Sequence, residues 1–211
     1  DTDTVIERPD THDRRANAVR AYHARTAHGF EGFAAGPDTL DWDAQPAPFR
    51  HYDGCPTVDL PRLDSFDSAH LRRPFAALGA AGPVQALTLA HLGALLQLAF
   101  GLTAWKSFGP DRWALRANPS SGNLHPVEAW VISRGVPGLA DGVHHYRPER
   151  HALSLRAEDR VAPDGDSSPT LAVALSSVMW REAWKYGERA FRYCQLDVGH
   201  ALGSLRYAAA V

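Results

Sequence analysis

The chain has 211 residues, 45% of them apolar and 22% charged. That is the composition of a soluble globular protein with one full core, or one domain plus an extension. A formal net charge of -2 lacks the basic excess that a nucleic-acid or membrane-surface binder needs. No apolar run reaches the ~18 residues that span a bilayer; the longest candidate, Leu87 to Trp105, is interrupted by His91, Gly93, Gln97 and Gly101.

The predicted elements begin with a helix over Thr11 to Thr26, with Ala16, Val19, Tyr22 and His23 on one face and Gly29 as its stop. Residues 28–66 read as an irregular arm. Pro37, Pro46, Pro48, Pro56 and Pro61 break helices there, while Phe30, Phe33, Trp42, Phe49 and Tyr52 offer apolar anchors. Thr88 is placed to N-cap a helix ending near Phe100, with Leu89, Leu92, Leu95, Leu96 and Ala99 as its stripe. Val127 to Ile132 is β-like. Gly142–Tyr146 and His151–Leu155 flank a four-residue turn and read as a hairpin, with Ser154 and Arg156 on its exposed side. Asp159 to Pro169 is a polar loop, and Thr170 to Val178 a continuous apolar run expected to be a buried strand. From about Glu188 a helix pattern runs to Val211 without a C-cap, which gives the expectation of a chain that continues further. The fold class is α+β. Residues 1–66 form a helix and arm, and 67–211 a domain truncated at its C-terminal end.

Two cysteines, Cys55 and Cys194, without a CxxC pair speak against a disulfide framework or a structural zinc site, so no metal is expected. Reduced thiols and no visible secretory signal make the cytoplasm the expected location. His144 and His145 are adjacent on a strand and point to opposite faces, so they do not chelate one metal. Cys194 is expected to be buried and inert, and Glu188 with Arg189 a structural ion pair.

The run from Arg116 to Glu128 is where small polar groups concentrate. Ser120 and Ser121 carry short hydroxyls, Gly122 lets a flat ligand approach the backbone, and Asn123 has both a donor and an acceptor. Pro119 and Pro126 stiffen the ends, and Arg116 is suited to a phosphate. Composition alone fits a polar turn between a helix and a strand equally well.

The wording of this run goes further. Pro119-Ser120-Ser121-Gly122-Asn123-Leu124-His125-Pro126 resembles the nitroreductase-superfamily signature Pro-Ser-x-x-Asn-x-Gln-Pro, with His125 in the Gln position. Continued through Val127-Glu128, it resembles the SagB-type, azoline dehydrogenase-like branch. Gly142-Val-His-His-Tyr146 and Trp184-Lys-Tyr-Gly-Glu-Arg-Ala-Phe-Arg-Tyr193, followed by Asp197-Val-Gly-His-Ala-Leu202, resemble two further motifs of that branch, in family order.

The resemblance implies a helix-flanked nitroreductase-like sheet working as a dimer, or as a tandem pseudo-dimer of which this is the first half. FMN would lie between the halves, with NADH or NADPH as a possible electron donor. Ser120, Ser121, Gly122, Asn123 and His125, with Arg116, are the implied cofactor residues. Lys185 and Tyr186 match a Lys–Tyr pair associated with proton handling. A lysine acts as a base only when burial or nearby cations lower its pKa from ~10.4; Arg181, Arg189 and Arg192 are the candidates in sequence. Arg72 and Arg73 stand where many members have a phosphate-holding Arg-Arg-Ser, although Pro74 replaces the serine. The implied substrate is a nitro compound, a quinone-like acceptor or an azoline on a modified peptide. The alternative is a non-catalytic half that completes a partner's flavin pocket or serves as a scaffold.

Overall fold

The computed structural model describes residues 11–80, 86–159 and 168–211; most of the expected polar loop, residues 160–167, lies outside them. Helix α1 spans Thr11–Thr26. A short strand β1, Thr57–Asp59, interrupts the arm, and α2 covers Leu89–Phe100. Strands β2, Leu102–Phe108, and β3, Asp111–Arg116, form a separate hairpin. Strands β4, Val127–Arg134, β5, Gly142–Arg147, β6, Ala152–Glu158, and β7, Thr170–Ser177, follow. Helix α3, Met179–Tyr186, and helix α4, Ala190–Ala209, close the chain, with one 3-10 turn at Gly187–Arg189 between them.

The main sheet has the order β1-β6-β5-β4-β7, every neighbouring pair antiparallel. Alternation along β4 sets its two faces. Val127, Ala129 and Val131 join Tyr146 and Leu153 in a core with Leu92, Leu96 and Phe100 of α2 and Ala201 and Ala208 of α4. Thr88 caps α2 as expected, its hydroxyl accepting from the His91 N–H at 3.2 Å.

The opposite side of β4 buries charge. Glu128 accepts from Arg181 at 2.5 Å and from His145 at 2.6 Å, all three nearly free of solvent. Burial acts to raise the Glu128 carboxyl, but the His145 hydrogen bond and the Arg181 and Arg116 charges outweigh it and hold it below its ordinary value. Burial pulls the Arg116 guanidinium down to about 10, against the counter-pull of Glu128.

Five expectations need correcting. Strand β7 is not buried: it is the sheet edge, and its residues alternate between exposed and half-exposed. Ser154 is fully buried, because β1 adds outside β6 and covers it, placing Thr57 opposite. Val19 is 68% exposed; α1 docks through Tyr22 and Thr26 instead. Phe30 and Phe33 are exposed rather than buried against the domain, Phe33 touching His28 of the arm edge-on. Glu188 pairs with Arg25 of α1 rather than with Arg189, because the arm returns across the start of α4.

The arm wraps the domain through backbone and side-chain bonds. Tyr22 Oη donates to the Glu188 carbonyl at 2.9 Å, Arg192 donates to Thr26 Oγ1, and Leu63 N–H donates to Gln97 Oε1. Arg116 reaches the Pro48 carbonyl at 2.6 Å, and Trp184 Nε1 the Asp41 carbonyl at 2.8 Å.

Arg181→Ala leaves Glu128 buried with half its pairing. An urea-unfolding comparison with wild type should show a loss of about 3–5 kcal/mol, the cost of breaking a buried ion pair from one side.

Candidate functional site

The polar run that the sequence singles out is folded onto α4 by one carboxylate. Asp197, almost fully buried, accepts from Ser120 Oγ at 2.9 Å, from the Ser121 N–H at 3.0 Å and from Ser121 Oγ at 2.8 Å. Ser120 Oγ in turn accepts the His125 N–H at 2.8 Å. Both serine hydroxyls are therefore committed to the loop's own anchorage. Gly122, Asn123 and His125 all lie in the left-handed region, at φ 59°, 60° and 52°. Glycine and asparagine tolerate this readily; histidine is held there at a cost. The bond from His125 N–H to Ser120 and that from Arg181 to the His125 carbonyl, 2.7 Å, provide the hold.

His125 is 2% exposed. Burial, helped by Arg116, pushes its imidazole down to about 3, so the ring is neutral and its Nε2–H donates to the Ala114 carbonyl at 3.3 Å. Asn123 Nδ2 donates to the same carbonyl at 3.0 Å. The loop is thus tied to β3 on one side and to α4 on the other.

Between these ties Gly122 faces Lys185 and Tyr186. A methyl group added there would come within 2.5 Å of Tyr186 Oη and 3.1 Å of Lys185 Nζ. The glycine is needed both for its backbone angle and for this close approach. Two motifs more than sixty residues apart in sequence meet here. Burial is the main cause that raises the Tyr186 phenol, which packs on Tyr193 at 4.4 Å between ring centroids.

Gly122, Asn123 and Lys185 open on a cleft of about 640 Å³. Trp42 of the arm, Trp105 and Trp113 of the β2–β3 hairpin and Trp184 of α3 wall it. Neither the hairpin nor α3 was expected from the sequence. The signal existed: Leu102 to Arg116 has β-rich residues around Gly109-Pro110, and Trp180 is followed by Ala183 and Trp184 at helical steps of three and four.

The three cations expected near Lys185 are engaged elsewhere. Arg181 serves Glu128, Arg192 holds Thr26 and His23, and Arg189 lies over Tyr186 and Tyr193 while reaching His28. Arg116 is turned into the interior, toward the Pro48 and Val127 carbonyls. Arg73 bonds the Ala210 carbonyl at the far end of α4, thirteen residues from Asp197, roughly 20 Å of helix. Arg72 is exposed beside it. The structure brings Gly122, Asn123, Lys185 and Tyr186 together, with Ser120, Ser121 and His125 immediately behind them, and leaves Arg72 and Arg73 apart.

Two buried carboxyls share the space behind the site. Asp197 is fully bonded; Glu182, on the same helix turn as Lys185, is inaccessible and both its oxygens lack a hydrogen-bond partner. Burial, reinforced by Asp197, pushes the Glu182 carboxyl up to about 8, against the pull of Lys185. Cys194, free and buried, is raised to about 11 by burial and by the same two carboxyls, which fits an inert thiol. Among the described residues no group of three His, Cys, Asp or Glu could hold a metal ion, and no helix is long and apolar enough to cross a membrane.

Known proteins can be set beside this arrangement. No family model matches the chain. A Methanocaldococcus jannaschii protein whose name places it among the nitroreductases is 30% identical over 123 residues, 54% of this chain and 59% of that protein. The trifolitoxin-processing protein TfxB of Rhizobium leguminosarum bv. trifolii is 29% identical over 99 residues, 40% of this chain and 26% of its own length. A crystal structure of an Anabaena variabilis protein, also named for the nitroreductases, matches with a TM-score of 0.65 and 31% identity, covering 88% of this chain and 37% of its own. The chain spans less than two thirds of each of these relatives.

Glu182 gives the site a pH signature. Its folded value near 8 lies above the unfolded one, so its contribution to stability is complete below about pH 4.5 and is lost as pH rises toward 8. His125, lowered to about 3, acts in the opposite sense but only below its ordinary value. Between about pH 6.5 and 8, unfolding free energy should fall with pH by up to about 1.4 kcal/mol per unit. Chemical denaturation of Glu182→Gln should lose that slope; an equal slope in both proteins would assign it to another group.

Proposed function

We propose that the chain is a member of the nitroreductase superfamily, a reading supported by its likeness to the two proteins named for the nitroreductases, and that it is one half of an FMN-dependent oxidoreductase that passes hydride between an organic substrate and the flavin. The observation that carries this is the apposition of Gly122 to Lys185 and Tyr186 at the floor of the tryptophan-walled cleft. The bare glycine lets Tyr186 and Lys185 close against the loop, where any side chain would push them away, and the room for a flat ring is the cleft onto which Gly122, Asn123 and Lys185 open. The residues present therefore fit the group.

Direct contact falls to Gly122, Asn123 and Lys185, which line the cleft. Arg116, Ser120, Ser121 and His125 act as positioning residues, since their polar atoms hold the loop itself. When bound, FMN supplies a two-electron acceptor and donor that no side chain can provide. Lys185 takes the proton that leaves the substrate beside the transferred hydride, and Tyr186, its hydroxyl next to Gly122, orients or relays it. The arm, through Trp42, and the β2–β3 hairpin, through Trp105 and Trp113, exclude water and seat the substrate's planar part.

The second half docks on α4. Leu196, Leu202 and Tyr207 are each about half exposed on the outward side of that helix, as is Phe191 beside Tyr22, and Gly199 and Gly203 between them have open space before them. Such a face on a folded chain marks an interface. Its occupant is a second nitroreductase-like half, in the same polypeptide or in a homodimer. Arg72 and Arg73 lie by the far end of α4, away from Gly122 and Lys185, and would hold a flavin phosphate only if the second half brought one to that end. Kinship with a trifolitoxin-processing protein favours a modified-peptide substrate bearing an azoline over a free nitro compound or quinone, and NADH or NADPH is then dispensable.

The test is the visible spectrum of the purified full-length protein, with the released cofactor identified by mass. Stoichiometric FMN is expected, and Gly122→Val should weaken its uptake on the order of tenfold or more, about 1.4 kcal/mol. A colourless protein that fails to take up added FMN would leave a scaffold half as the account of this chain.

A further inference from the structure

Glu182 has no part in the proposed reaction, yet it is among the largest side chains that are fully buried. Neither carboxyl oxygen has a hydrogen-bond partner among the described residues. The groups facing it are Lys185 and Tyr186 on its own helix and Asp197 and Cys194 on α4, the titratable residues with which it interacts. Lys185 and Tyr186 follow it by three and four residues, so the three side chains lie on one face of α3.

Two buried carboxyls that act on one another in a dry interior resist ionising together. Which one keeps its proton is decided by hydrogen bonding. Asp197 accepts from two hydroxyls and one backbone N–H, every one a donor that favours the charged form. Glu182 receives none, so ionising it would strand an unsolvated anion beside a second one. The proton therefore resides on Glu182.

We propose that Glu182 is a positioning residue that keeps its proton at neutral pH and so sets the charge behind Lys185, leaving Lys185 without an anionic partner on its own helix. The proposal rests on the reading of Lys185 as the proton-handling group. An ionised Glu182 at this place would pair with Lys185 on the buried side of α3, and a neutral Glu182 does not. No group is oxidised or consumed; the carboxyl only carries or releases one proton to solvent as pH changes.

The experiment is a carboxyl titration of the full-length protein, followed by infrared difference spectroscopy of the protonated-acid carbonyl band from about pH 6 to about pH 10, well above the ordinary range for carboxylates. The expected result is one carboxylic acid that loses its proton with a midpoint near 8. The band should be absent from Glu182→Gln. In Lys185→Met, which removes the one cation that draws Glu182 toward ionisation, the midpoint should move upward. In turnover assays Glu182→Gln should lose the alkaline inflection in kcat while KM is little changed.

An inaccessible acid that titrates with the ordinary carboxylates, or a band that persists in Glu182→Gln, would overturn the proposal. Should Glu182→Gln not fold, the unmoved midpoint in Lys185→Met would overturn it equally. The titration needs no flavin, so a colourless protein that still shows the band would sink the FMN reading and leave the proton on Glu182 standing. An FMN-loaded protein without the band would do the reverse.

Discussion

The carboxylate of Asp197 is the interaction on which the rest of the site depends. Four polar side-chain and backbone groups of the Ser120–His125 loop are organised around it directly or through Ser120. Without that acceptor the loop has no reason to lie against α4, and Gly122 has no reason to face Lys185 and Tyr186. A charged group this deep is costly unless its lone pairs are filled. The Ser-Ser pair fills them, which explains why two adjacent hydroxyls stand in the loop while neither projects into the cleft.

Burial of charge recurs on the other side of the loop, with a different purpose. Arg181, Glu128 and His145 form a closed set beneath β4, and Arg181 also holds the His125 carbonyl. This set fixes the far end of the loop where backbone angles are unfavourable. The arm then closes the cleft from outside, with Trp42 packed edge-on against Trp184 at 5.3 Å between ring centroids. Function is thereby spread over three segments that are remote in sequence, each held by polar bonds to a neighbour rather than by apolar packing alone.

Much of this was legible in the sequence. The periodicity around Leu92 and Leu96 and the capping hydroxyl of Thr88 gave α2 with its start, and the turn residues at 147–150 gave the β5–β6 hairpin. The meeting of the Ser-Ser-Gly-Asn run with Lys185 and Tyr186 was not readable from spacing; it was implied only by resemblance to a family. What failed was exposure. An apolar run such as Leu171 to Val173 reads alike in a central strand and at a sheet edge, so β7 was misjudged. Ser154 looked like the wet side of a strand because nothing in its own neighbourhood announces β1 some ninety-seven residues earlier. Partner choice failed for the same reason. The arginines near Lys185 in sequence are claimed by Glu128, Thr26 and the tyrosines, while the group that matters behind Lys185 is Glu182, a residue whose lack of hydrogen-bond partners only the structure reveals.

The most direct test of the central claim is the FMN affinity of Asp197→Asn in the full-length protein, measured by fluorescence titration under conditions where circular dichroism shows the variant folded. Asparagine keeps the shape but loses the charge and replaces one acceptor with a donor, which the Ser120 and Ser121 donors cannot use. If Asp197 presents the loop to the cleft, affinity should fall on the order of tenfold, about 1.4 kcal/mol, although Asp197 itself does not line the cleft. Unchanged affinity in a folded Asp197→Asn protein would contradict the account, because the loop would then hold its place without the carboxylate.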